Sequence, residues 1–359
     1  MDDGLRPTAR GSGPTVTILD VGHGNCAVLR DDAHVMVVDA PHDHALPGEL
    51  ARIGVSKIDH VVLSHADSDH IGGAVALLSR PSLRVGRLWF NPDAMKESDT
   101  WGDLRALAYQ MHENGKLEVT TNLNSGAREI VISSRLRAEV LHPDIGMAST
   151  GPRPATSRES AMDANTFAAV LRVLLDDRPV VLLCADIDAA GLSRITERNV
   201  DLTADVLVFP HHGGSSHGSS DSEFARQLTQ GVMPSSVIFS HGRLKWRNPL
   251  PEIVAGVREA APNARIACTQ LSVRCRVDDG PFPTTHLGEA VAAGRRHGIS
   301  CAGSSVLQIL TNGSLGVRPD SAAAHNTFVE QFATSPLCLA PTPAPTSPAN
   351  DAPPTRSQN

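Results

Sequence analysis

Between His60 and Gly73 the chain reads HVVLSHADSDHIGG. An apolar run leads straight into His65, Asp67, Asp69 and His70, and imidazole and carboxylate are the groups divalent transition metals prefer. His65 and Asp67 are two apart and can converge on one metal, while Asp69 and His70, further round the turn, can reach a second. Gly72 and Gly73 let backbone pass close by without a side-chain clash. A solvated polar loop would explain one chance histidine here, but it explains this spacing after this strand poorly.

Two later strand ends carry similar chemistry. Val180–Ala185 ends in Asp186, where a carboxylate can bridge two metals; the plainer alternative is an N-cap for the helix expected over Ala189–Glu197. Ala204–Pro210 runs into His211 and His212. His211 leaves the strand first and is the expected ligand, with His212 supporting it or contacting substrate. Asp39 ends the run Val35–Val38 and is expected to orient ligands, a turn residue being the alternative.

The elements that must hold these residues begin with short β-rich runs over Val16–Asp20, Ala27–Arg30 and Val35–Asp39. Strands follow at His60–Ser64, Arg87–Phe90, Ala138–His142, Phe167–Leu175, Val180–Cys184, Val206–Phe209, Val237–Ser240 and Arg265–Cys268. Helices are expected near Gly48–Ile53, Ala74–Leu78, Leu104–His112, Ala189–Glu197, Glu223–Leu228 and Pro251–Ala260. A hairpin-rich first part and an alternating later part suit two sheets packed face to face with helices outside. Residues 1–13 read as a disordered leader and 14–280 as the main domain. Residues 281–335 form a small appendage, with a helix over Leu287–Arg295 and a hairpin over Ser305–Leu310 and Leu315–Arg318. From 336 to 359 the Pro-rich tail is too poor in apolar surface to fold.

The motifs resemble, in order, those of the metallo-β-lactamase superfamily, and in detail the hydrolase domain of ComEC competence proteins and their stand-alone relatives. His65–His70 resembles the HxHxDH signature with Asp67 in place of the middle His. Asp20–Asn25 resembles the DVGQGD loop, Val140–Pro143 the VLHP segment, Asn165–Leu171 the NxxSLVL segment, Leu182–Ile187 the LLTGDI segment and Val208–Gly213 the PHHGS motif. The resemblance covers about residues 14–275. It implies an α/β fold, a four-layer αββα sandwich, and two divalent ions, zinc or manganese. One would be held by His65, Asp67, Asp186 and Asn165, the other by Asp69, His70, His211 and Asp186. The oxygen-rich first site favours harder ions, so manganese competes with zinc. The implied reaction is hydrolysis of a phosphodiester, such as that of DNA or RNA, by a metal-held hydroxide. Asp69, His23 and His212 are the candidate catalytic residues.

The chain departs from that pattern in places. His23 and Asn25 replace the Gln and Asp of the first loop; His23 can act as a general acid or merely stabilise the loop. Near the family's Gly-His-Pro motif stand Arg243, Lys245 and Arg247 around Trp246, a cluster that could grip substrate phosphates or be a solvated loop. The HxH spacing of His42 and His44 reads as surface. Cys268, Cys275 and Cys301, with His286 or His297, could hold a structural zinc, although the spacing is not a tight knuckle.

Composition sets limits on all this. The 359 residues carry a formal charge of −7, so no global basic field draws nucleic acid. Aromatics are only 3%, which argues against an extended base-stacking platform. No signal peptide or membrane-length apolar run is evident, so a cytoplasmic chain without membrane partners and with reduced cysteines is expected. Competing readings are hydrolysis of a thioester or lactone, which Asp67 and the PHHG segment disfavour, and a non-catalytic scaffold, which the full ligand set disfavours.

Overall fold

The computed structural model describes residues 13–127, 129–154, 162–243, 246–278, 280–309, 315–318 and 322–339. The expected leader and most of the tail, and Lys245, lie outside them.

Two mixed sheets form the centre. The first has eight strands, running from Leu315–Arg318 through Ser305–Ile309, Thr15–Ile18, Ala27–Asp31, His34–Val38, Lys57–Val62 and Arg84–Trp89 to Glu118–Thr120. The second has seven, from Arg265–Cys268 through Ser236–Phe239, Val206–Val208, Arg178–Leu183, Val170–Leu175 and Leu136–His142 to Glu129–Val131. In each sheet hairpin strands pair antiparallel, and the strands that end at the site pair parallel.

Strand period decides which side chains enter which layer. Met36 and Val38 point between the sheets and pack with Val62, Leu171, Val181, Val206 and Ile238. Val35 and Val37 point the other way, against Leu46 and Leu50 of the helix Ala45–Arg52 and Trp101 and Leu104 of the helix Asp99–Glu113. The outer face of the second sheet is covered by Ala189–Glu197, Asp221–Val232, Pro251–Ala260 and Ala322–Phe332. The layers are therefore αββα.

The C-terminal region adds to the sequence reading and corrects it. Its hairpin, expected as part of an appendage packed on the main domain, extends the first sheet, with Ser305–Ile309 pairing Thr15–Ile18 in the register Thr15↔Gln308. The helix expected over Leu287–Arg295 is replaced by a single short 3₁₀ turn, Ala293–His297. The reason is Asp20: its carbonyl accepts from Ala293 N–H at 2.8 Å and its carboxylate from Gly294 N–H at 3.0 Å, so this backbone bonds to the first loop instead of to itself. Packed chain also continues past 335, since Leu337 and Leu339 lie against the core and Cys338 is buried.

The cysteines do not form the expected zinc staple. Cys268, Cys275 and Cys301 are buried in one apolar cluster, and burial raises the pKa of each thiol. Among the described residues outside the cleft, no three potential ligands bring their atoms within 4.8 Å of one another. His297 is exposed, His286 bonds the Cys301 carbonyl, and the imidazole at Cys301 Sγ is His325, 3.2 Å away. These thiols pack as small hydrophobes.

His142, buried beside the strand that leads to the site, donates from Nε2 to the Thr166 carbonyl at 2.8 Å. Burial lowers its pKa from 6.5 to about 4. The unfolded chain takes this proton first, so stability is full above pH 6.5 and falls as pH drops toward 4. Between pH 7 and 5 this one group should cost about 2 kcal/mol. His142→Gln, which keeps an N–H donor but does not titrate, should remove that part of the drop in urea midpoints. An unchanged drop would assign it to other groups.

Candidate metal centre

The site lies where the C-terminal ends of the parallel strands of both sheets meet, the usual place for ligands in open α/β sheets. Asp39 follows His34–Val38, His65 follows Lys57–Val62, Asp186 follows Arg178–Leu183, and His211 and His212 follow Val206–Val208. Asp39, Ala185, His211 and His212 have φ of 60, 47, 53 and 56°, a left-handed backbone that non-glycine residues rarely adopt. Such strain is held only where surrounding structure enforces it, and here it clusters at one site. Glycine is required at Gly24 and Gly73. A Cβ at Gly24 would lie 2.3 Å from the Asp69 carbonyl oxygen, and one at Gly73 2.4 Å from that of Pro41.

Three imidazoles are oriented from behind. His70 Nδ1 bonds Asp39 at 2.7 Å, His65 Nδ1 lies 3.0 Å from the Ser64 hydroxyl, and His212 Nδ1 donates to the Ser240 carbonyl at 2.8 Å. Asp39 also accepts from Ser64 N–H at 2.8 Å and Ser64 Oγ–H at 2.9 Å. In each ring the Nε2 is turned toward a carboxylate, Asp67 for His65, Asp186 for His70 and both Asp69 and Asp186 for His212, and all three Nε2 atoms, with Asp186 Oδ1, are buried without a hydrogen bond of acceptable geometry.

Two groups of donors result, each with its atoms within 4.8 Å: His65, His70 and Asp186, and His23, Asp69 and His212. Asp186 joins them. Its Oδ1 is 3.1 Å from His70 Nε2, and its Oδ2 is 3.5 Å from His212 Nε2 and 3.6 Å from His211 Nδ1. Asp69 Oδ2 lies 3.1 Å from His23 Nε2 and 3.6 Å from His212 Nε2. Burial alone would raise the Asp186 carboxyl, but His212 and His70 outweigh it and hold its pKa well below the usual range. Burial would likewise lower His212, yet Asp186 and Asp69 lift it to about 9. Packed imidazoles and carboxylates with orphaned, convergent lone pairs suit divalent cations, so the residues present fit two such ions.

This grouping differs from the sequence expectation. His70 joins His65 rather than Asp69, and His23 joins Asp69. His212, buried and oriented, faces both carboxylates, whereas His211 is partly exposed on the cleft side of Asp186. Asp67 stands beside the first group, its Oδ2 3.9 Å from His65 Nε2 and its Oδ1 accepting from Lys96 Nζ at 2.6 Å. Asn165 is buried with its Oδ1 unbonded, in a second lobe beyond Asp67. Asp186 is not the N-cap; Asp188 is, accepting from Gly191 N–H at 2.7 Å, which leaves Asp186 to the cleft. His42 and His44 are exposed and do not line the cleft.

Arg243 is a correction. It is 1% exposed, and its guanidinium donates to the carbonyls of Leu271, at 2.6 Å, Arg276, at 2.8 Å, and Asp278, over the Phe282 ring. It fastens chain to chain and cannot grip substrate. Arg247 does line the cleft, next to Trp246. Ser64, Ser240 and Lys96 were not singled out from sequence. Ser64 carries a faint signal, a hydroxyl between strand and first ligand; the other two carry none, because their partners are remote in the chain.

An αββα sandwich with clustered His and Asp at its strand ends defines a class. The sequence model of the metallo-β-lactamase superfamily matches residues 19–127. The matched segment is the one that carries His23, Asp39 and the His65–His70 turn. The chain is 28% identical over 194 residues to ComE operon protein 3 of Bacillus subtilis (strain 168), a match covering 54% of this chain and 21% of that one. It therefore spans a small part of that relative's length. Similar solved structures include Igni18, a metallo hydrolase from Ignicoccus hospitalis KIN4/I (16% identity, 71% of this chain and 94% of that one, TM-score 0.43). Another is the metallo-β-lactamase fold protein YhfI from Bacillus subtilis (11% identity, 73% and 98%, TM-score 0.44).

Asp39 supplies a test of the orienting arrangement. Asp39→Asn should weaken divalent-ion binding about 10- to 100-fold, as loss of a ligand-orienting partner does, with the far-UV spectrum unchanged. Competition with a chelating dye measures it. Unchanged affinity would mean that His70 needs no such support.

Proposed function

We propose that the chain is a two-metal hydrolase of phosphodiester bonds. The observation that carries this reading is the convergence of His65, His70, Asp186, His23, Asp69 and His212, with the Nδ1 atoms of His65, His70 and His212 engaged and their Nε2 atoms unbonded, at a cleft of about 650 Å³ that His23, Asp69, Asp186 and His212 line. His65, His70 and Asp186 would hold one ion, with Asp67 and Asn165 at its side. His23, Asp69 and His212 would hold the other, with His211 beside Asp186. Two divalent ions there supply charge that acidifies water and offsets the charge growing on phosphoryl oxygens.

The chain's own residues do the rest. Asp39, Ser64 and Ser240 fix the imidazoles. Asp186 and Asp69 keep the two groups in register. Arg247, on the cleft rim, meets a substrate phosphate, and the carboxylate at Asp67 gives an oxygen-rich set suited to manganese as well as zinc. The ComEC-like motif order supports a phosphodiester over a thioester or lactone.

The test is turnover by chain loaded with manganese or zinc, on bis-p-nitrophenyl phosphate, linear and circular DNA, RNA, a thioester and a lactone. Cleavage of phosphodiesters alone is expected. Thioester or lactone hydrolysis with phosphodiesters untouched would overturn the reading.

A further inference from the structure

The chain is poor in aromatics, and two of its three tryptophans are spent in the core: Trp89 is 8% exposed and Trp101 2%. Trp246 is 56% exposed, and it stands at the cleft. Its ring centroid is 6.2 Å from that of His23, whose Nε2 faces Asp69. An exposed indole at the edge of a polar cleft offers an apolar face and one N–H donor to whatever enters it.

The rim that carries Trp246 is anchored on both sides to one stretch of chain. Before it, the Arg243 guanidinium bonds the Leu271 and Arg276 carbonyls; after it, the Asn248 carbonyl accepts from Ser272 Oγ–H at 2.6 Å. The described residues on either side of the indole are thus anchored, and Arg247 stands next to it at the cleft. On the far side of the donor groups the cleft continues as a second lobe of about 390 Å³, which shares Asp67 with the first and presents Lys96. A substrate centred on the donors therefore has room on both sides, with a flat aromatic face and Arg247 on one and, on the other, a lobe in which Lys96 is paired with Asp67.

We infer that Trp246 stacks on an unpaired nucleobase next to the scissile phosphodiester, and that the substrate is a single-stranded stretch of nucleic acid lying across both lobes. This rests on the phosphodiesterase reading and narrows it. Every base has a π-face, so one indole accepts any sequence, while a neighbouring arginine takes the phosphate. The sequence reading excluded an extended stacking platform; a single residue at the reacting end needs no extended one.

The experiment has two readouts. With divalent ions chelated, wild-type chain is titrated with a short single-stranded oligonucleotide and with an abasic one of equal length. The base-bearing strand should quench the indole emission, the abasic one should not, and Trp246→Ala should abolish the quench, since Trp89 and Trp101 are buried. In metal-loaded chain, the preference in kcat/KM for the base-bearing over the abasic strand should fall roughly 5- to 150-fold in Trp246→Ala, the range stacking on one base supports. Trp246→Phe should restore part of it. DNA and RNA strands, run in parallel, identify the sugar. An unchanged preference, or no quench by the base-bearing strand, overturns the inference. If loaded wild type cuts no phosphodiester, the underlying reading fails by that result, and the quench still decides whether the indole takes a base.

Discussion

Asp186→Asn should abolish hydrolysis while leaving the chain folded. Asp186 is 4% exposed and faces three imidazoles, those of His70, His211 and His212, at 3.1–3.6 Å. It belongs to the group with His65 and His70 and reaches His212 of the other group at 3.5 Å. An asparagine there keeps the volume but loses the charge that offsets two cations, and its amide nitrogen would point a donor at rings that need an acceptor. Removing one preorganised electrostatic partner from an active site typically costs about 10²–10³ in kcat. Asp186 reaches both groups, so the loss should reach at least the upper end of that range, with metal affinity falling in parallel. Strand packing around it is apolar, contributed by Leu182, Leu183 and Cys184, and is untouched. The far-UV spectrum of the metal-free variant should therefore stay close to that of the wild type, while its urea midpoint should fall, because His70 and His212 lose a buried charged partner. Activity and metal content near wild type would remove Asp186 from the centre.

Arg243→Ala should act in the opposite way, on stability rather than on turnover. The guanidinium is buried and satisfies carbonyls of Leu271, Arg276 and Asp278. Truncation leaves those acceptors without donors in a site water cannot readily enter. Hydrogen bonds to a charged group are worth about 1.5–3 kcal/mol each, and breaking a buried charged contact costs about 3–5 kcal/mol in total. Urea unfolding should show a loss of that size, a large part of the stability of an ordinary domain. Arg247→Ala, on the exposed rim, should change stability by no more than about 0.5 kcal/mol and should instead raise KM for a polymeric phosphodiester. A stable Arg243→Ala with raised KM would return Arg243 to the substrate.

These two arginines show where sequence reading ends. Both sit in the run from Arg243 to Arg247, and nothing local distinguishes a buried guanidinium from a solvated one, because the carbonyls that bury Arg243 arrive from 28 to 35 residues away. The His65–His70 segment was legible because its four ligand types and its Gly-Gly belong to one turn. The strand ends at Asp39 and Asp186 were legible because apolar runs stop there. Which donors share a group was not: His23 meets Asp69 and His212 only through the packing of two sheets. Position in the chain does not rank His211 against His212: both have left-handed backbone and both face Asp186, but His212 is buried, also reaches Asp69 and donates to the Ser240 carbonyl.

The layers were read correctly from the alternation of strands and helices, while the C-terminal region was not. The segment Leu287–Arg295 has helix-like composition, yet its backbone is claimed by Asp20, which also accepts from Gln270 Nε2–H and Ser300 Oγ–H. The helix Ala322–Phe332 went unrecognised, and Phe328 and Val329 of it close the core under the second sheet. Long-range bonds of this kind leave no mark on local spacing.

Two divalent ions are expected in this cleft, and they can be counted. Chain stripped with a chelator and titrated calorimetrically with manganese or zinc, then desalted for elemental analysis, should take up about two ions, as two-metal hydrolases do. His65→Ala and His212→Ala should each abolish one binding step. Metal-replete chain that retains no ion, or whose ions survive both substitutions, would contradict the account.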